Sequence, residues 1–456
     1  MRAAGGLTAY RELLDRLVPA RRFGVVLGLE RMRALLDRLG APDRRMGTIV
    51  HVGGTNGKGS TVAMIAALVG ASVRVATYTS PHLSSLRERI GIAGAPISEQ
   101  AIVAAADEVR AAGGDELTFF EQVTAIACVA IAAAGVAVTV LEVGLGGRLD
   151  ATTAIAAPIA VVTGVALDHE AILGSTLAAI AAEKAGIFKA GQHIVVGASG
   201  EPAAVAQLVT AAEGCGAASV TVIDAAAIAR VPPVGLAGAH QRANAAAALA
   251  AVAHLDALGA LGPPGTPGTD ADARARALAA VTHPGRFEMF ALPASGEPGG
   301  HVDAERPPPA PGPLVILDGA HNPHGAAALA AALHARGLQP TCILAVSADK
   351  DAGAMVRALA SVASSFIATR YQQDRALPPE ALAAVITAVI AGPGSGPGTG
   401  AVEIAATLAD AIATARTRSQ PILIAGSLFL VGEARTLLLG APTDPILVTD
   451  PPARAP

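Results

Sequence analysis

An apolar run ending in "MGTIV" (Met46–Val50) passes directly into the glycine-rich "HVGGTNGKGS" of His51–Ser60, and from there into the alanine-rich "TVAMIAALVG". Strand, glycine turn and helix in that order leave few folds open. A buried strand must deliver the chain to a helix start whose backbone N–H groups point at an anion. The glycines let those groups converge, Lys58 adds a point charge, and the Ser60 hydroxyl is placed to reach a divalent cation. The strict phosphate-loop spacing is not met. Val52 stands where its first glycine belongs, and Gly59 follows Lys58, which moves the hydroxyl to Ser60. With Lys58 at the β- and γ-phosphates and Ser60 on magnesium, ATP is the expected ligand.

The same rhythm recurs in "VAVTVLEVG", "PIAVVTGVALDH" and "HIVVGA", each followed by a loop or a helical segment. Strands separated by helices pair in parallel through right-handed crossovers. The expected class is therefore α/β, with a doubly wound, mostly parallel sheet whose ligand loops gather at the carboxyl ends of the strands. At 456 residues the chain exceeds what one core usually serves. Proline, glycine and charge replace apolar periodicity from Ala291 to Pro313, after which strand-like runs restart with "LVILDGAHNP" and "TCILAVSADK". The expected division is an ATP-binding domain over 1–287, a linker or hinge over 288–313, and a smaller Rossmann-like α/β domain over 314–456.

Bulk properties narrow the partners. The longest apolar run, Val123–Leu141, is broken by Gly135 into an alanine-rich half and a β-branched half, which fits a helix leading into a buried strand better than a membrane span. The N-terminal stretch is charged throughout and has no signal-peptide core, so a cytoplasmic location is expected. Cys128, Cys215 and Cys342 are odd in number and widely spaced, which suggests buried thiols rather than disulfides or a thiolate metal site. A net charge of −4 and 2% aromatic residues argue against nucleic acid as a partner. Small-molecule substrates and a monomer are expected.

Three further residues carry chemistry by position. Glu142 ends a β-branched strand and is followed by glycines, where a carboxylate ligand for magnesium belongs beside a phosphate loop; a plain capping glutamate is the competing reading. His169 follows another strand in "VALDHE", where an imidazole can hold a second divalent ion or simply be solvated. Lys184, in "AAEKAG", reads equally as an ordinary exposed lysine beside a glutamate.

Nine segments then fall in one order: "GTNGKGS", "SPHLSSLRERI", "LTFFEQVTAIA", "EVGLGGRLDAT", "LDHEAILGSTLAAIAAEKAGIFK", "GAHQRANAAAAL", "PGRFE", "LDGAHNPHGA" and "GSLFLVGEA". In order and spacing they resemble the folylpolyglutamate synthases and dihydrofolate synthases, members of the Mur ligase superfamily of ATP-dependent acid–amino-acid ligases. The likeness runs from about Arg22 to Glu433. The departures are His283 for a tryptophan, Thr153 for an asparagine and Phe429 for a tyrosine, and none falls on a catalytic position.

The resemblance implies roles position by position. Gly57, Lys58, Gly59 and Ser60 would hold the ATP phosphates, and Asn244, Arg286 and Asp318 the rest of the nucleotide, with Asp318 reaching across from the second domain. Ser60, Ser80, Glu142 and His169 would share Mg2+ at two sites. Lys184 matches a lysine that is N-carboxylated in the superfamily. A carbamate there turns a cation that would repel metal into an anion that supports it. His321 and Ser427 would line the glutamate site, with His321 catalytic beside Lys58 and Lys184. Leu27, Gly28, Leu29, Thr118, Phe119, Phe120, Leu149, Asp150 and Ala151 fall where pteroate docks. The expected reaction joins L-glutamate to dihydropteroate, to reduced folates, or to both, through an acyl phosphate. The competing readings are a Mur-type ligase acting on a cell-wall peptide precursor and a nucleotide-binding scaffold without turnover.

Overall fold

The computed structural model describes residues 2–20, 28–263, 265–292, 312–392 and 402–446. Short β-branched and apolar runs form two sheets. The first has eight strands: β1 (Thr48–Gly53), β2 (Val75–Tyr78), β3 (Ile90–Ile92), β4 (Ala95–Pro96), β5 (Val138–Glu142), β6 (Ile159–Val162), β7 (His193–Val196) and β8 (Ser219–Val222). Their order is β4-β3-β2-β5-β1-β6-β7-β8. Among the described residues pairing is parallel along β2-β5-β1-β6-β7-β8, and β3 runs antiparallel to both β2 and β4. The chain order reverses on either side of β1, so the loops after β1, β5 and β6 flank the crevice in which doubly wound sheets bind ligands.

The run Val123–Leu141 divides as its composition requires. The helix Phe119–Ala134 ends on Gly135 in the left-handed region at φ 61°, and the chain then enters β5. Among the described residues no helix is long and apolar enough to cross a membrane. Apolar faces on both sides of the sheet form cores, one around Phe119, Ile126, Leu141 and Met32, another around Val143, Ile180, Ile194 and Leu208.

The second sheet has six strands, β9 (Glu288–Ala291), β10 (Leu314–Asp318), β11 (Thr341–Leu344), β12 (Ser365–Ala368), β13 (Val402–Ile404) and β14 (Ile422–Ala425), in the order β13-β12-β11-β14-β10-β9. All pairs are parallel except β9 with β10. Its core gathers Ile316, Leu329, Met355, Phe366 and Leu382.

The expected domain limits shift. Contacts group Thr282–Thr443 and Gly235–Ala239 with the second sheet, and return Asp444 to the first unit. We place the boundary a few residues before the expected 287, in front of "PGRFEMF". Its Glu288–Ala291 pairs with β10 as a sheet edge, so Arg286 belongs to the second unit and the linker does not begin at 288. Of the expected hinge, residues 293–311 lie outside the described residues.

Candidate active site

The glycine loop is built as its composition demands. Gly57 is left-handed at φ 83°, which lets the chain turn into the helix Lys58–Gly70 with backbone N–H groups at its start. The Lys58 ammonium donates to the carbonyls of Gly54 and Thr55, each at 3.2 Å, and so lies folded along the loop. Ser60 is buried, and its Oγ accepts from the Gln241 amide at 3.3 Å. The Asn244 amide donates to Gln241 Oε1 at 3.0 Å, and its Oδ1 accepts from the Ser199 hydroxyl at 2.5 Å. The structure thus brings Gly57, Ser60 and Asn244 together.

Glu142 arrives from β5, the strand beside β1, with its carboxylate 4% exposed. The backbone N–H of Ser80, the residue before the cis Ser80–Pro81 peptide, donates to Glu142 Oε2 at 3.2 Å. His169 stands at φ 52° as the residue before the helix Glu170–Leu173, and its N–H donates to Asp168 Oδ1 at 2.8 Å. The expected ligands, the Ser60 and Ser80 hydroxyls, the Glu142 carboxylate and the His169 imidazole, would together be a predominantly oxygen donor set of the kind that suits a hard cation. Among the described residues there is no cluster of three or more acidic, histidine or cysteine side chains that could hold a metal ion.

Lys184 is the departure from an exposed lysine. It is 4% exposed, its ammonium donates to the Gly54 carbonyl at 3.0 Å, and burial followed by the neighbouring Lys58 charge lowers its pKa to about 7, opposed by Asp168 and Asp150. Asp150 braces the loop after β5. Its Oδ2 accepts from the Gly144 and Leu145 N–H groups, at 3.1 and 2.9 Å, and its Oδ1 from the Thr152 hydroxyl, which also meets His51 Nε2 at 2.9 Å.

The expected pteroate residues separate by burial. Thr118 caps the helix Phe119–Ala134, and Phe119 is wholly buried beneath the Arg89 guanidinium at 5.3 Å. Only Phe120 of the three is part-exposed; it lies against Gly144, where a Cβ would fall 2.4 Å from the ring. Leu149 is part-exposed, whereas Asp150 and Ala151 are buried. Leu29 is buried before the helix Glu30–Arg38, Gly28 stands at φ 140°, and Leu27 lies outside the described residues.

In the second unit, Asp318 ends β10 and ties two loops. Its Oδ2 accepts from Phe287 N–H and its Oδ1 from Ala320 N–H, both at 2.8 Å. Burial raises its pKa, against the Arg286 charge and these two bonds. Arg286 donates to the Gly285 carbonyl at 3.2 Å, and its Nη1 would meet a Cβ on Gly319 at 2.3 Å, so Gly319 is the space that the guanidinium uses. His321 Nδ1 meets the Gly319 carbonyl at 2.8 Å, Ser427 caps the helix Leu428–Leu439, and a Gly426 N–H to Ala320 carbonyl bond at 3.1 Å joins the two loops that carry them.

Sequence reasoning missed Gln241 and Asp168. Gln241 lies three residues before Asn244 in "HQRAN", on the same helix face, and that spacing was the available signal. Asp168 left none, since only the fold sets it near Lys184.

The Mur ligase middle domain family matches residues 52–252, and the C-terminal domain family of dihydrofolate synthetase matches residues 311–437. A probable bifunctional folylpolyglutamate synthase/dihydropteroate synthase of Haloferax volcanii is 36% identical over 94% of this chain and 50% of its own length, so the chain spans about half of that relative. The dihydrofolate synthase/folylpolyglutamate synthase of Mycobacterium tuberculosis is 36% identical over 94% of this chain and 93% of its own. Among solved structures, Mycobacterium tuberculosis folylpolyglutamate synthase complexed with ADP superposes with a TM-score of 0.79 at 32% identity, covering 96% of this chain and 99% of that one. A bifunctional folylpolyglutamate synthase/dihydrofolate synthase with Mn, AMPPNP and L-glutamate bound gives 0.74 at 28% identity, covering 95% and 98%. With the glycine loop, Glu142, Lys184 and the Asp318 loop in place, the chain belongs to the dihydrofolate synthase/folylpolyglutamate synthase family of Mur ligases.

Proposed function

We propose that the protein joins L-glutamate to the carboxylate of dihydropteroate, of reduced folates, or of both, at the expense of ATP. The observation that carries this reading is the meeting of Gly57, Ser60, Glu142, Lys184 and Asn244 around the β1 crevice, in a chain of this family. A carboxylate does not react with an amine at neutral pH, because its delocalised anion repels the nucleophile and offers no leaving group. Attack of the acid on the γ-phosphorus gives an acyl phosphate, and the amine of glutamate then displaces phosphate from the acyl carbon.

This chain's residues would serve that sequence as follows. N–H groups at the start of Lys58–Gly70 bind phosphate oxygens, and Lys58 swings from its loop carbonyls to neutralise charge on the transferring group. Ser60, Ser80, Glu142 and His169 hold Mg2+, which when bound withdraws charge from the phosphoryl oxygens. A pKa of about 7 leaves much of Lys184 as the free amine, the form that takes up carbon dioxide; the carbamate is the proposed working state. Arg286 and Asp318 contact the nucleotide, and His321 and Ser427 the incoming glutamate. Phe120 and Leu149 offer the accessible apolar surface for pteroate, with Gly28, Leu29, Thr118, Phe119, Asp150 and Ala151 shaping it. An acyl phosphate hydrolyses readily, so the reaction needs water kept from it. The protein is proposed to work as a cytoplasmic monomer on small molecules.

The test is to supply purified enzyme with dihydropteroate or tetrahydrofolate, each labelled with 18O in the reacting carboxylate. Label in the released phosphate is expected with at least one acid, and its absence with both overturns the reading. The two acids assayed separately decide between one activity and two. A muramyl peptide precursor as sole acceptor should release none.

A further inference from the structure

Asp444 follows the last helix of the second unit, yet its contacts place it in the first. Its Oδ1 accepts from the Ser85 hydroxyl at 2.8 Å and the Tyr10 hydroxyl at 3.0 Å, its Oδ2 accepts from Leu86 N–H at 2.7 Å, and its own N–H donates to the Ser84 carbonyl at 3.0 Å. Two residues on, Ile446 packs on the core of the first unit. A charged, multiply bonded acceptor of this kind is strong compared with neutral pairs.

The segment it grips is the loop that begins at Ser80. Within that loop the Glu88 carboxylate collects Leu83 N–H, Ser84 N–H, the Ser84 hydroxyl and Ser85 N–H at 2.8 to 3.1 Å, and Thr79 N–H closes the base on the Arg89 carbonyl at 2.9 Å. Residues 83–88 therefore move as one body. Ser80, whose N–H meets Glu142, stands three residues before that body and next to Thr79, which is tied to Arg89 just after it; Asp444 holds the body at Ser84–Leu86.

We propose that Asp444 is a positioning residue for the nucleotide–metal site: by fixing Ser84–Leu86 it sets where Ser80 stands against Glu142. Asp444 thereby serves the ATP site although it touches none of the reacting atoms. The inference rests on the reading of Ser80 and Glu142 as metal-binding.

The experiment uses the full chain. Asp444→Ala, Asp444→Asn, Tyr10→Phe and Glu142→Ala are compared by Mg2+ titration of glutamate-dependent ADP release. A second readout is the rise in Tm that a non-hydrolysable ATP analogue produces with Mn2+. Asp444→Ala is expected to raise the Mg2+ needed for half-maximal rate about tenfold and to shrink the analogue-induced Tm rise, with KM for glutamate within about twofold. Asp444→Asn keeps one acceptor oxygen and recovers part of the loss. Tyr10→Phe leaves the Mg2+ dependence at the wild-type value. If Asp444→Ala does not fold, Ser85→Ala carries the same test with about a threefold shift expected. A folded Asp444→Ala with lowered Tm but unchanged Mg2+ dependence overturns the inference, while an unaltered Mg2+ dependence in Glu142→Ala overturns the metal reading beneath it.

Discussion

At Gly57 a single Cβ decides whether the phosphate loop can form. The residue stands at φ 83°, and a Cβ would fall 2.4 Å from Asn244 Oδ1. Gly57→Ala is expected to cost about 1–2 kcal/mol from the left-handed backbone alone, and to displace the Asn244 amide. The outcome is a lower Tm together with weakened ADP binding by calorimetry. Lys184 makes a pH prediction for protein held free of carbon dioxide, in which it is the unmodified amine. Its folded-state pKa of about 7 lies below that of the unfolded chain, near about 10.4. Between those values the unfolded state holds more protons, so stability rises with pH, by at most about 1.4 kcal/mol per unit. Below about pH 7 both states hold the proton and the contribution is flat. Lys184→Met should remove that rise, read as the difference between the two proteins' urea midpoints from pH 7 to 10.

Elements bring these residues to bear by how they begin and end. Thr118 starts the helix Phe119–Ala134 with a reciprocal cap, its N–H and hydroxyl donating to Glu121 Oε2 and its Oγ1 accepting from Glu121 N–H. Thr118→Ala is expected to cost about 1 kcal/mol of stability. By contrast, Phe120→Ala, at the part-exposed position beside Gly144, should raise KM for the pteroate acid about tenfold with little change in KM for ATP. Steady-state kinetics on both variants separates cap from contact. In the second sheet, β9 and the helix Leu428–Leu439 are joined by the Arg435–Glu288 pair at 2.9 Å, and Glu288 also accepts from Gly285 N–H, next to Arg286. Arg435→Met takes the guanidinium away from that buried carboxylate and is expected to cost about 3 kcal/mol in urea unfolding, while Arg435→Met with Glu288→Leu recovers most of it.

On the scale of the whole molecule, the two units hold separate sheets and separate cores. Calorimetry is expected to resolve more than one unfolding transition. The non-hydrolysable ATP analogue with Mn2+ should raise that of the unit containing β1, by about 2.7 kcal/mol at a hundredfold excess over Kd. A good part of this was legible beforehand. Alternating apolar runs and glycine turns set the strands β1, β5, β6 and β7, and the glycine loop and Glu142 follow from local spacing alone. The break after Ala291 was legible too, but not its edge: "EMFA" reads as the start of a linker until β10 is there to pair with it. Nor does sequence separate Phe119 from Phe120, adjacent rings of which one is wholly buried under Arg89 and the other lies against Gly144. The sequence by itself determined the strand–helix alternation, the phosphate loop and the family, since those depend on interactions between near neighbours. Only the tertiary structure decided that Gln241 meets Ser60, that Lys184 is buried beside Lys58, and that Asp444 grips Ser85. Those pairs lie far apart in the chain or on separate elements, and they are set by strand order and burial, which no local pattern encodes.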